Sequence, residues 1–156
     1  MSGLAVSSMT SILKNVDVTG FTFEQEGQSP TPTLWGQLAY GVIAYWTENL
    51  SFTENTVKNA DELFFMAYSY NENVTVENNV FHNCSDYCIC AHWDMLNIST
   101  NNRTHNFNVL NNTIYDSPYG IIYSSVDGGL CRGNKIYNLT VNNRLGIYVY
   151  GGDVSI

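Results

Sequence analysis

Trp46, Tyr68 and His92 follow one another at intervals of 22 and 24 residues, by subtraction of their numbers, and two places after each comes an acid or another ring, at Glu48, Tyr70 and Asp94. Asp127 continues the acids, and Trp93 adds a ring beside His92. Carboxylates at a regular interval can divide the work of general acid and general base, and an imidazole such as His92 can move a proton between Glu48 and Asp94 near neutral pH. Rings such as Trp46, Tyr68 and Trp93 offer flat faces on which C–H groups of a saccharide stack, while carboxylates accept hydroxyl hydrogen bonds or hold a divalent cation such as calcium. Glu48, His92, Asp94 and Asp127 are therefore the candidate catalytic residues, and Trp46, Tyr68 and Trp93 the candidate binding residues. The same residues also have a purely structural account, because Asp caps turns and exposed Tyr or Trp fits a pleated surface. By the same reasoning His82 and His105, isolated in the sequence, read as ordinary surface histidines.

Such an interval positions side chains only if the chain itself repeats, and it does. "NLSFTENTVKNA" from Asn49, "NVTVENNVFHNC" from Asn73 and "NFNVLNNTIYDS" from Asn106 share one grammar, which places Asn55, Asn79 and Asn112 on a common position that Asn134 continues. Leu50, Phe52 and Val57, then Val74, Val76 and Phe81, then Phe107, Val109 and Ile114 alternate with polar neighbours around it. That is strand periodicity. A second block precedes each of these segments: "GVIAYWTE" from Gly41, "LFFMAYSY" from Leu63, "YCICAHWD" from Tyr87, "GIIYSSVD" from Gly120 and "GIYVYGGD" from Gly146. Alternation predicts inward positions at Val42 and Ala44, Phe64 and Met66, Cys88 and Cys90, Ile121 and Tyr123, and Ile147 and Val149. In this alignment Trp46, Tyr68, His92, Ser125 and Gly151 share one column, and Glu48, Tyr70, Asp94, Asp127 and Asp153 share the next.

Short strands recurring every twenty-odd residues and bent at asparagines describe a parallel β-helix, an all-β solenoid of about five to six coils in a single domain spanning 1–156. At each bend an asparagine is expected both to take the left-handed conformation and to bond to its equivalent one coil away. Coils about 4.8 Å apart put carboxylates on neighbouring coils roughly 5 Å apart and those two coils apart near 10 Å, which brackets the separations used by retaining and inverting glycosidases. From Asn15 to Ile156 the repeat resembles the right-handed parallel β-helix proteins of the pectate-lyase-like superfamily. The resemblance implies a right-handed coil, an extracellular, virion or cell-surface setting and a polysaccharide partner. It also implies that any activity is that of a carbohydrate lyase or glycoside hydrolase, or else that the coil is a non-catalytic adhesive or structural stalk. The catalytic motifs of the pectate lyases and polygalacturonases have no counterpart here, so no residue role is carried over.

Composition narrows the partners. The 156 residues carry a net charge of −8 with only six Lys plus Arg, which provides no basic stripe for nucleic acid or an anionic membrane. No apolar run reaches the length of a membrane span. Seven Asn-x-Ser/Thr patterns occur, at Asn49, Asn73, Asn83, Asn97, Asn102, Asn111 and Asn138, but an asparagine-rich chain generates them freely. Cys84, Cys88, Cys90 and Cys131 lack the paired spacing of a zinc site and read as buried free thiols. Two insertions, 24–39 and 95–105, are expected to wall the site, since extra residues in stacked repeats fall in loops on one face. "DVSI" begins a sixth coil and stops, which predicts further coils beyond it, a partner or a second copy covering that end.

Overall fold

The computed structural model describes residues 4–7, 12–24, 42–59, 65–92, 103–140 and 145–156, and every regular element among them is a strand. The first coil holds β1 (Leu4–Ser7), β2 (Leu13–Thr19) and β3 (Thr22–Glu24); the second, β4 (Val42–Thr53) and β5 (Thr56–Lys58); the third, β6 (Phe65–Glu77) and β7 (Val80–His82). The fourth holds β8 (Tyr87–His92), β9 (Thr104–Leu110) and β10 (Thr113–Tyr115), the fifth β11 (Tyr119–Arg132) and β12 (Lys135–Tyr137), and β13 (Ile147–Ser155) opens a sixth. All pairings are parallel. One sheet runs β1-β4-β6-β8-β11-β13 with β2 and β9 completing its second face, and the other runs β12-β10-β7-β5-β3. Each coil therefore bonds only to the coils above and below it, as in other stacked-repeat proteins.

Among the described residues three bends recur from coil to coil, each marked by a left-handed residue. The first bend uses Asn15, Asn49, Asn73 and Asn106 with φ between 53 and 59°, and Gly128 at 78°. The second uses Gly20, Glu54, Asn78, Asn111 and Gly133, and the third Asn59, Asn83, Asp116 and Asn138. Asparagine tolerates this region better than other non-glycine residues, which explains its abundance at the bends. The expected column of Asn55, Asn79, Asn112 and Asn134 is present: Asn55 Nδ2 donates to Asn79 Oδ1 at 3.2 Å, Asn79 Nδ2 to Asn112 Oδ1 at 3.0 Å and Asn112 Nδ2 to Asn134 Oδ1 at 3.1 Å. One part of the expectation is corrected. The left-handed residue is the one before each of these asparagines, so the two halves of an Asn-Asn pair divide the labour: the outer residue turns the chain and the inner one holds the ladder.

A second, exposed ladder climbs the first bend, where Asn49 donates to Asn15 at 2.9 Å, Asn73 to Asn49 at 3.0 Å and Asn106 to Asn73 at 3.0 Å. Inside, Leu50, Val74 and Phe107 stack in one row and Phe52, Val76, Val109 and Cys131 in another, while Val57, Phe81 and Ile114 face them from the opposite sheet. Val76, Phe81, Val109 and Ile114 are fully buried, as the alternation predicts. The preceding block differs. Val42 pairs with Phe65, Phe65 with Ile89 and Ile89 with Ile121, so Phe65 and Ala67, then Ile89 and Ala91, stand in register with Val42 and Ala44; Cys88 and Cys90 are buried as expected, and Phe64 lies outside the described residues. A one-residue slip exchanges the faces of a strand. The continuously apolar runs "LFFMA" and "YCICA" contain no alternation that could have fixed it.

Candidate functional site

Where the first face turns into the second, the coils stop matching in length. Ser7, Tyr45, Tyr68 and His92 share one register, and Ser124 and Tyr150 pair at the corresponding place. Leu13, Thr47, Asn71, Thr104, Val126 and Gly152 occupy the next aligned position. By subtraction, five residues intervene in the first coil, then one, two, eleven, one and one. Both strand blocks absorb this variation without losing their pairing. In solenoids such a corner is where loops and binding sites accumulate.

Trp46 is the single residue between Tyr45 and Thr47, and two residues of β6, Ser69 and Tyr70, stand opposite it, so the ladder has a bulge at this point. The φ of 57° at Trp46 is a genuine outlier for a bulky side chain, and observed outliers of this kind cluster at functional sites. Asn71, fully buried one coil away, holds the bulge. Its Oδ1 accepts from the Thr47 N–H at 3.2 Å and the Thr47 hydroxyl at 2.7 Å, and its Nδ2 donates to the Ala44 carbonyl at 3.5 Å. Backbone groups on both sides of the bulge are thus satisfied, and the indole is left 37% exposed.

Immediately beyond the bulge runs a column of ionisable residues. Lys14, Glu48, Glu72, His105, Asp127 and Asp153 are successive backbone partners, one per coil. Lys14 Nζ lies 2.5 Å from Glu48 Oε2, and His105 Nδ1 lies 3.1 Å from Asp127 Oδ2. The Tyr70 hydroxyl donates to Glu72 Oε2 at 2.8 Å. That hydrogen bond, together with partial desolvation and the negative charges of Glu72 and Glu48, raises the Tyr70 phenol above its ordinary pKa. Rings run alongside: Trp46 and Tyr70 have centroids 6.3 Å apart, and Tyr70 and the His105 imidazole 6.1 Å. The corner thus offers a tilted aromatic row bordered by carboxylates and one imidazole. It can stack on C–H faces, accept hydroxyl protons and transfer a proton through His105.

The sequence-derived residues distribute unevenly over this corner. Glu48 and Asp127 do share a column, with Glu72 and His105 between them rather than Tyr70 and Asp94. Trp46 is out of line with Tyr68 and His92, because Tyr45 pairs with Tyr68 and Tyr68 with His92: the one-residue slip begins upstream, where Val42 pairs with Phe65. Trp93 and Asp94 lie outside the described residues. Glu72, Tyr70 and His105 were missed as site residues. A signal for them existed, since "NLSF", "NVTV" and "NFNV" each follow a polar residue, at Glu48, Glu72 and His105. The two insertions follow β3 and β8 in the chain, and apart from Glu24 and the residues from Arg103 on they lie outside the described residues. Among the described residues no three His, Cys, Asp or Glu side chains converge as a metal-ligand set.

The family model described as a right handed beta helix region matches residues 1–103, and the chain belongs to that family. Its parallel coils form the pectate-lyase-like scaffold. No curated protein and no solved structure gives a match.

Proposed function

We propose that the corner at Trp46 is a polysaccharide-binding site, with Trp46 and Tyr70 as stacking rings and Glu48, Glu72 and Asp127 as acceptors for sugar hydroxyls. The observation that carries this reading is the Trp46 bulge: an exposed indole held in a costly backbone conformation by a buried asparagine, beside acids and at the corner where coil length varies. Fold alone would not support it, since one scaffold hosts many functions. His105 bonded to Asp127 supplies the proton-transfer group if the bound glycan is cleaved. An extracellular or surface setting belongs to the same proposal.

A second reading, a non-catalytic structural coil, is favoured by the way the column pairs internally, Lys14 with Glu48, Tyr70 with Glu72 and His105 with Asp127. Calorimetry and product analysis over a panel of uronic-acid and neutral polysaccharides decide between them. Trp46→Ala and Tyr70→Ala should each weaken binding by about 1–3 kcal/mol, by analogy with rings that stack on bases. Turnover lost in His105→Ala or Asp94→Asn with binding retained identifies an enzyme. Binding of no glycan by the folded protein rejects the proposal in favour of the structural coil.

A further inference from the structure

Away from that corner, at the third bend of the third coil, where the chain passes into the fourth, two buried cysteines flank the turn. Cys84 and Cys88 flank the bend at Ser85 and Asp86 and are both buried, Cys84 at 6% exposure and Cys88 at 0%. Both side chains belong to one buried core cluster; burial first, and then the neighbouring Cys84 thiol, push the Cys88 thiol up, while the Ser117 hydroxyl opposes them. Ser117 in turn accepts from the Cys84 N–H at 3.2 Å, while the Cys84 thiol is turned back toward the Asp86 carbonyl, 3.1 Å away. The remaining cysteines are placed differently. Cys90 pairs with Ile122 in the strand beyond, and the Cys131 sulfur accepts from Asn134 Nδ2 at 3.4 Å.

We propose that Cys84 and Cys88 are an oxidisable pair, closed to an intramolecular disulfide by a small-molecule disulfide such as glutathione disulfide. In the first step the Cys84 thiolate, the more exposed of the two, attacks one glutathione sulfur and releases one glutathione thiol. The Cys88 sulfur then loses its proton and attacks the Cys84 sulfur of that mixed disulfide, releasing the second glutathione. Two protein thiols become one disulfide, and one glutathione disulfide becomes two glutathione molecules, so atoms and electrons balance. Burial pushes the Cys88 thiol up, which makes it a slow nucleophile in solution but leaves it placed for this intramolecular step. Only Ser85, Asp86 and Tyr87 separate the two cysteines, and the bend at Ser85 and Asp86 turns the chain between them, which suits the close Cβ spacing that a disulfide requires.

The test equilibrates the folded protein in glutathione buffers of increasing oxidising ratio, followed by alkylation and mass spectrometry of peptides. Of the four free cysteines, two should become resistant to alkylation with the loss of two hydrogens, and the fragments should join Cys84 to Cys88. Cys84→Ser and Cys88→Ser should abolish the loss, giving at most a glutathione adduct, and Cys90→Ser and Cys131→Ser should leave it unchanged. Refolding from urea in the same buffers removes slow access as a cause of any failure. Four alkylatable thiols under both protocols, or a disulfide that maps to Cys90 or Cys131, overturns the proposal.

Discussion

Replacing Asn112 by alanine separates the inner ladder from the outer one. Asn112 is fully buried, and its Oδ1 is the acceptor for the Asn79 backbone N–H at 2.9 Å and for Asn79 Nδ2 at 3.0 Å. Its own Nδ2 donates to the Val76 carbonyl at 2.9 Å and to Asn134 Oδ1 at 3.1 Å. Alanine deletes all four bonds, but the groups left behind fare differently. Asn79 Nδ2 keeps the Phe52 carbonyl, and Asn134 Oδ1 keeps the Asn112 N–H. The Asn79 N–H loses its acceptor in a buried site, at a cost of about 1–3 kcal/mol, and the other three bonds add about 0.5–1.5 kcal/mol each. The expected destabilisation is about 3–5 kcal/mol, toward the lower half of that sum because neighbouring bonds are not independent. Asn49→Ala, in the exposed ladder, frees groups that water can reach and adds the strain of alanine at positive φ, for a total of about 1–2 kcal/mol. Urea unfolding followed by far-ultraviolet circular dichroism measures both, provided the m-values agree. A loss below about 1 kcal/mol in Asn112→Ala, or a larger loss in Asn49→Ala, refutes the division of labour between the two columns.

Tyr123→Phe removes a buried hydroxyl whose neighbour is the weakly bonding Cys131 thiol, so thermal unfolding should show a change of no more than about 1 kcal/mol in either direction; a larger loss would mean that the hydroxyl has a stronger partner. Val109→Asp places an unpaired charge in a fully buried row and should cost several kcal/mol, on the order of 4, in the same assay; a tolerated aspartate would show that the inward face is misassigned. The Tyr70 phenol should ionise above the ordinary tyrosine range in a spectrophotometric titration, and Glu72→Gln should bring it back down. Because its folded-state pKa is raised, the stabilisation linked to this proton is complete below the unfolded value and disappears as pH rises through the folded one. An unshifted phenol in the wild type would break the Tyr70–Glu72 contact from which the site is built.

Sequence revealed the stacking of coils because the inner asparagines and the residues flanking them sit at constant offsets within each repeat, as at Asn79 and Asn112. It failed where offsets change. Counting three residues forward from Tyr45, Ala67 and Ala91 starts one place out of register in the third and fourth coils and then crosses the corner at which one, two or eleven residues intervene, so it lands on Tyr70 and Asp94 instead of Glu72 and His105. Counting backward from Leu50, Val74 and Phe107 would have found them, since no length variation lies between. The register of that block was misread by one residue for another reason: in a run such as Cys88-Ile89-Cys90-Ala91, with no polar residue and every side chain buried, burial carries no parity. The left-handed residues were displaced by one because both members of an Asn-Asn pair have the chemistry for either job, and only φ distinguishes them.

The outer asparagines also change the meaning of a familiar local pattern. At the first bend a left-handed asparagine is followed by an inward apolar residue and then an outward polar one, as in Asn49-Leu50-Ser51 and Asn73-Val74-Thr75. That succession happens to spell the consensus read by glycan-transferring enzymes. Asn49, Asn73, Asn83, Asn111 and Asn138 all begin such a triplet, and every one of them is a positive-φ residue whose side-chain nitrogen is engaged by a neighbouring coil. In a chain wound this way the density of the tripeptide measures how often the backbone turns a corner. A search that scores the motif alone would therefore report a heavily modified secretory protein from nothing more than the geometry of its bends.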